Sequence, residues 1–294
     1  MLGCGATTVE PPRFDGDRAY GYLKDQVAFG PRVPDSRAWS DCRKYAVDHF
    51  VRAGLAVDTP SFTFVDPYSG RSIRLVNIHA GFRDAGRTDP PILFVAHYDS
   101  RPRAEEAIDT SLRRAPIAGA NDGASGVAVL LELANLLKDK SPGANVDLLL
   151  VDGEDWGKPS DLDYYCLGSK AFARSGLGGK YRFAVVLDMV GDARQEIFRE
   201  AYSEQYQKPL NDMIWSVAKQ LGISTFHDTT RHTVIDDHLS LNVAGLPAVD
   251  IIDFDYPYWH TEFDTPDKCS SQSLENVGRV IAYIAYNRHI WPKN

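Results

Sequence analysis

The sequence predicts an α/β protein with a mixed, largely parallel central sheet flanked by helices on both faces. Short apolar runs recur at Ile92 to Ala96, Val146 to Val151, Phe183 to Val190 and Ala248 to Ile252, each of strand rather than helix length. Segments with apolar residues three and four apart separate them, and strands alternating with helices imply parallel pairing under helical layers. The run Val146 to Val151 also ends directly in Asp152-Gly153-Glu154-Asp155-Trp156-Gly157. Open sheets of this kind hold their ligands at the carboxyl edge of the strands, so that acidic turn marks half of an active site.

Residues 1–15, with Pro11-Pro12, read as an extended arm, and 16–294 as one catalytic domain. Asp15 or Asp17 caps a helix through Val27, with Ala19, Tyr22, Leu23 and Val27 on one face. A second helix runs from about Ser36 to Ala53 and stops at Gly54. Val57 to Phe64 and Ser72 to Ala80 read as a hairpin at one sheet edge, turning at Asp66 to Gly70. After the strand at Ile92, a long polar loop spans Arg101 to Pro116, and Gly123 to Leu137 reads as a helix. Leu167 to Ala173 is a short helix, Ser203 to Leu221 an amphipathic one, and Leu274, Val277, Ile281 and Ile284 stripe the last.

The 294 residues are 44% hydrophobic and 24% charged, enough for one large core. A net charge of -8 without a basic block excludes a nucleic-acid partner. No apolar stretch approaches the roughly 18 residues that span a bilayer. Met1-Leu2-Gly3-Cys4-Gly5 has the small-residue-then-cysteine pattern that ends a bacterial lipoprotein signal, although the charged and apolar parts of such a signal are not in this chain. The expectation is a lipid on Cys4 and a place in the periplasm or cell envelope; the alternative is an ordinary terminal cysteine. Cys42, Cys166 and Cys269 have no CxxC spacing and form neither a disulfide framework nor a thiolate metal site.

The chemistry resides in acids and imidazoles delivered by separate loops. Asp122 lies in Gly119-Ala120-Asn121-Asp122-Gly123, Glu154 and Asp155 follow a strand, and His260 follows Trp259 near the end. Taken singly, Asp122 is turn chemistry and His260 a structural histidine; jointly they form a mixed oxygen and nitrogen donor set that suits zinc. Adjacent residues at a turn point in different directions, so one of Glu154 and Asp155 can hold metal while the other moves a proton. The shorter Asp155 suits ligation and Glu154 the general acid/base. Asp188 is a carboxylate in an apolar strand, which requires a partner. Asp236, in Ile235-Asp236-Asp237-His238, is a further candidate, with helix capping as its rival role. No Gly-x-Ser-x-Gly, Walker or HExxH pattern is present.

Ala96-His97-Tyr98-Asp99-Ser100, Gly119 to Gly126, Asp152-Gly153-Glu154-Asp155, Leu187-Asp188-Met189-Val190-Gly191 and Trp259-His260-Thr261 resemble, in this order, the zinc aminopeptidase superfamily. Within it they are most similar to the glutaminyl cyclases, from about residue 20 to the end. The resemblance implies a zinc aminopeptidase-like fold, one zinc per chain on Asp122, Asp155 and His260, and Glu154 as proton shuttle. It also implies Asp188 and Asp236 as hydrogen-bonding acids around Glu154, and His97 unliganded, where a two-zinc peptidase would use it. Trp259 and Trp156 would wall the substrate pocket, with a place in the core as the rival role of either indole. The implied partners are peptides and proteins with amino-terminal glutamine, converted to pyroglutamate with release of ammonia by a monomer. Asp155 stands where animal cyclases carry glutamate, and Ala96 excludes the cysteine they place before His-Tyr-Asp, so a bacterial-type enzyme is implied. A two-zinc aminopeptidase is the nearest rival, and an inactive lipid-tethered binding protein a third.

Overall fold

A computed structural model describes residues 8–177 and 179–293; Cys4, with the lipid-anchor expectation, lies outside the described residues. Helices α1 (Gly16–Ala28) and α2 (Arg37–Arg52) begin on the side chains of Asp15 and Ser36, which accept from the Arg18 and Trp39 amides. Those bonds satisfy amide donors that a helix start leaves without partners.

The next stretch departs from the expected hairpin. It splits into β1 (Ala56–Asp58), β2 (Ser61–Val65), β3 (Ser72–Val76) and β4 (Ile78–Phe82). Only β2 and β3 form the antiparallel hairpin, as a separate two-stranded sheet, while β1 and β4 join the main one. The break falls at Pro60, which has no amide to give a ladder, and at Asn77. The Asn77 amide reaches the Pro60 carbonyl, and its side chain accepts from the Asp152 amide and donates to Gly168.

The main sheet adds β5 (Ile92–His97), β6 (Val146–Val151), β7 (Ala184–Asp188) and β10 (Ala248–Ile252), in the order β1-β4-β6-β5-β7-β10. β6, β5, β7 and β10 are parallel and β1 and β4 antiparallel. Side chains alternate between faces. Phe94, Ala96, Leu148 and Leu150 join the cluster with α1, α3 (Ala124–Asp139) and α7 (Ser271–Tyr286). Leu93, Val95, Leu149 and Val151 pack toward α4 (Leu167–Ala173) and α6 (Asp237–Val243).

α5 (Ala201–Gln220) starts on Glu200, whose carboxylate accepts from the Tyr202 and Ser203 amides, and packs on β10. Its backbone leaves helical geometry at Gln207, just before Pro209, as expected where proline crowds the preceding turn. A two-stranded parallel pair, β8 (Ile197–Glu200) and β9 (Phe226–His232), was not anticipated. β9 is mostly exposed and polar, so it carries no apolar run to announce it. No described helix is long and apolar enough to cross a membrane.

Candidate active site

Every expected metal-binding and proton-transfer residue lies at the carboxyl edge of the parallel strands, where side chains from separate loops can meet. β5 ends on His97, β7 ends on Asp188, and β6 runs through Asp152 and Gly153 into a 3-10 turn, Glu154–Trp156. Gly153 takes φ 67°, a left-handed turn that turns the chain out of the strand at low cost. Gly123, ahead of α3, is required by space: a Cβ there would lie 2.4 Å from the His97 ring. His260 itself has φ 54°, an unfavourable backbone for a side chain of its size, of the kind that collects at functional sites.

Asp122, Asp155 and His260 come together as expected, each buried, with ligand atoms within 4.8 Å of one another. His260 Nε2 is 3.2 Å from Asp155 Oδ1 and 3.6 Å from Asp122 Oδ2. Asp155 Oδ2 is buried without a hydrogen-bond partner among the described residues. Zinc bonds of about 2.0–2.2 Å hold their ligand atoms about 3–4 Å apart, so this donor set and its orphaned oxygen fit zinc.

Around these three stands a second layer of fully bonded groups. Asp99 accepts from the amides of Glu154 and Asp155 at 3.2 and 3.3 Å, fixing the acidic turn. Asp264 accepts from the amides of Asn121 and Asp122 at 2.8 and 3.2 Å, tying the Asp122 loop to the His260 loop. Glu105 Oε1 lies 3.5 Å from His260 Nδ1, the outer carboxylate that orients a liganding imidazole. Arg101, wholly buried, donates to the Asp155 carbonyl at 2.7 Å and to its carboxylate at 3.2 Å. Asp99, Asp264, Arg101 and Glu105 were not singled out from the sequence. Asp99 carried a signal only as part of the Ala96-His97-Tyr98-Asp99-Ser100 motif of the resemblance, without a role of its own.

The electrostatics separate the two adjacent acids. Burial raises both, but His260 and Arg101 outweigh it at Asp155 and hold that carboxyl below the ordinary range. Glu154 has no such partner: burial and then the Asp155 charge push it well above the usual value. Among the described residues its carboxyl has one hydrogen bond, from the Cys166 thiol at 3.3 Å. Burial, then Asp155, also lifts Asp122, to about 7. Burial would lower His260, yet Asp155 and Glu105 bring it to about 9. So many buried carboxylates repelling one another call for a cation among them.

Asp188 finds the partner its burial demanded, but that partner is His97 Nε2 at 3.2 Å, not Glu154. The same nitrogen is 3.1 Å from Asp122 Oδ1, so His97, Asp122 and Asp188 form a second triplet sharing Asp122 with the first. Asp236 takes the rival role of helix cap, and among the described residues it makes no hydrogen bond to Glu154. It caps α6 through the Asp237 amide, and it comes within 4.8 Å of Glu154 and Cys166 with Oδ2 unbonded. Burial, then Asp188, raises its carboxyl to about 6.

A cavity of 330 Å³ opens over Glu154, Asp155 and His260, walled by Ile252, Phe254 and Trp259. Trp259 stacks on His260 with centroids 3.7 Å apart, so the indole covers the ligand ring and faces the cavity. Trp156 does not. Its indole packs on Ile73 and Leu75, stands edge-on to Phe64, and donates to Asp66 at 3.0 Å, outside the cavity. Following an acid pair placed Trp156 near the site in sequence, but the 3-10 turn points the side chain back under the β2–β3 hairpin.

These strands, the acid turn and the two triplets define a zinc-peptidase-like site. The chain belongs to peptidase family M28, which matches residues 77–285. The solved glutaminyl cyclase of Bacteroides thetaiotaomicron bound to N-acetylhistamine superposes with a TM-score of 0.89 at 34% identity, covering 95% of this chain and 99% of that one. A leucine aminopeptidase precursor from the same species gives 0.90 at 35% identity, with coverage of 95% and 99%. The glutaminyl-peptide cyclotransferase of Bothrops jararaca is 26% identical over 276 residues, 79% of this chain and 70% of that protein.

Proposed function

We propose that this chain is a zinc-dependent glutaminyl-peptide cyclotransferase that converts amino-terminal glutamine to pyroglutamate and releases ammonia. The observation that carries the reading is Glu154: a buried carboxyl with raised proton affinity, outside the Asp122, Asp155 and His260 set but beside it, in a cavity roofed by Trp259. Asp122, Asp155 and His260 would hold one zinc, whose contribution is to polarise the γ-carbonyl of the glutamine side chain.

The remaining chemistry belongs to the protein. Trp259, Ile252 and Phe254 give the methylenes of a glutamine side chain an apolar wall and confine it folded toward its own amine, which is most of what an intramolecular reaction needs. Glu154 accepts the α-amine proton as that nitrogen bonds to the side-chain carbonyl carbon, then returns it to the amide nitrogen as the old bond from that carbon to nitrogen breaks. Ammonia leaves, and no water is consumed. Burial and the Asp155 charge keep the proton affinity of Glu154 high, and Asp236, within 4.8 Å of it, adds to them.

The His97, Asp122 and Asp188 triplet supports a second reading, a two-zinc aminopeptidase, since it offers a further metal a complete donor set. Mass spectrometry of a Gln-initiated peptide separates the two. Loss of ammonia from an otherwise intact chain is the expected product; a peptide shortened by its first residue would make the protein a peptidase. A cell-envelope location, a lipid on Cys4 and a monomeric state belong to the same proposal and rest on the sequence.

A further inference from the structure

We propose that the groove between α4 and α6 binds the substrate peptide beyond its first residue, favouring apolar side chains near the site and an acidic one about four residues along. This rests on the cyclase reading only for what occupies the catalytic cavity.

The groove measures 520 Å³ and shares Ile235 and Asp236 with that cavity, so the two are continuous at those residues. On the opposite wall Tyr165, lining the cavity, is followed directly by Cys166, lining the groove. A peptide whose amino end is folded over Glu154 must leave through the cavity mouth, and this is an apolar path leading from it. Both α4 and α6 begin at that mouth and pack against each other as they run away from it.

The walls are Ala173, Leu239 and Val243, with Ile235 at the junction. Val243 is 90% exposed and Ile235 45%. Aliphatic side chains left open on adjoining turns mark a surface that another chain covers. From Cys166 to Arg174 the wall extends about 12 Å at 1.5 Å per helical residue. An extended peptide crosses that distance in three to four residues at about 3.3 Å each. Arg174, at the far end, is exposed and has no carboxylate partner among the described residues. Lys170, on the same wall, already spends its ammonium on the carbonyls of Leu162, Asp163 and Tyr165. The free cation is therefore Arg174, and an acidic side chain near the fourth or fifth substrate residue meets it.

The test compares kcat and KM for ammonia release from Gln-Leu-amide, Gln-Leu-Leu-Glu-Glu-amide and Gln-Leu-Leu-Lys-Lys-amide. Enzymes are the full chain and its Val243→Asp and Arg174→Glu variants, with melting temperatures recorded. The unaltered enzyme is expected to favour the acidic pentapeptide over the dipeptide by roughly tenfold in kcat/KM, through KM. Val243→Asp should remove that advantage and Arg174→Glu transfer it to the lysine peptide, with dipeptide turnover unchanged in both. Equal kcat/KM for dipeptide and pentapeptides in the unaltered enzyme overturns the proposal. So does a loss shared equally by short and long substrates, or a dimer dispersed by Val243→Asp without any kinetic change. Absence of ammonia release from every peptide would instead overturn the cyclase reading, and this proposal with it.

Discussion

Asp152 and Asp155 leave the same strand three residues apart, and their surroundings are opposite. Asp152 accepts from the Val76 amide at 2.7 Å, the Trp39 indole at 3.0 Å and the Tyr98 hydroxyl at 3.1 Å. Asp155 meets Arg101 and His260 with one oxygen but keeps the other buried with no partner among the described residues, and Glu154 has a single thiol. The contrast extends outward: Asp99 and Asp264 are spent on backbone amides, while Asp122, Asp155 and Glu154 face one another across the cavity. Buried carboxylates that are saturated with donors build a structure; buried carboxylates left bare are stable only with a cation or a proton. The first group shapes the loops, and the second performs the chemistry.

Replacing Glu154 by Gln tests that division most severely. The account expects kcat to fall by roughly 10²–10⁴ with zinc content unchanged, as for loss of a general acid/base. Near-normal turnover, or loss of the metal, would place Glu154 among the ligands or among the supports instead. Asp99→Asn, on the saturated side, should act through position: zinc affinity falling by roughly 10–100-fold while the metal-loaded enzyme keeps most of its kcat. If the loaded variant were as slow as Glu154→Gln, the two groups of acids would not be distinct.

The two tryptophans repeat the comparison in apolar terms. Trp259→Ala should raise KM for Gln-peptides several-fold by opening the wall over His260. Trp156→Phe should leave KM unchanged and lower stability by about 1–2 kcal/mol, through the unpaired Asp66 carboxylate. A KM change from Trp156→Phe would restore that indole to the pocket.

The smallest effect concerns a saturated acid at the start of α5, behind the cavity-lining residue Val234, from whose amide it accepts at 3.1 Å. Burial opposes ionisation of Glu200, but His238 at 3.1 Å and the amides of Tyr202 and Ser203 bring it down to about 2, from an ordinary 4.5. A depressed folded-state value means that its contribution is complete above about pH 4.5 and is lost as pH falls toward 2. Glu200→Gln should therefore be destabilising at pH 6, with the gap to the unaltered protein narrowing by pH 3 in chemical denaturation. A gap that held constant with pH would mean that the Glu200 charge is not what stabilises α5.

The parts of this arrangement legible in the sequence were those with a periodic or punctuated signal. The four parallel strands announced themselves as apolar runs, α1 and α2 by their capping residues, and the site by acids that end a strand. The identities of Asp122, Asp155 and His260 came from a pattern spread over 139 positions, which the fold gathers within 4.8 Å. The second layer was not legible, because Asp99 accepting two amides and an unbonded aspartate look alike in one dimension. Which of its two roles Trp156 takes, pocket wall or core, was hidden for the same reason, its direction being set by a turn rather than by its neighbours in the chain. The β2–β3 hairpin separated from the main sheet through a side-chain bond at Asn77, and β9 had no apolar alternation to detect.

The central claim is that Asp122, Asp155 and His260 hold one cation and leave Glu154 free beside it. Anomalous diffraction at the zinc edge from crystals of the zinc-loaded protein tests it directly. The account predicts a single peak within bonding distance of those three side chains, with Glu154 outside its coordination sphere. A second peak between His97, Asp122 and Asp188, or a peak bonded to Glu154, would contradict it.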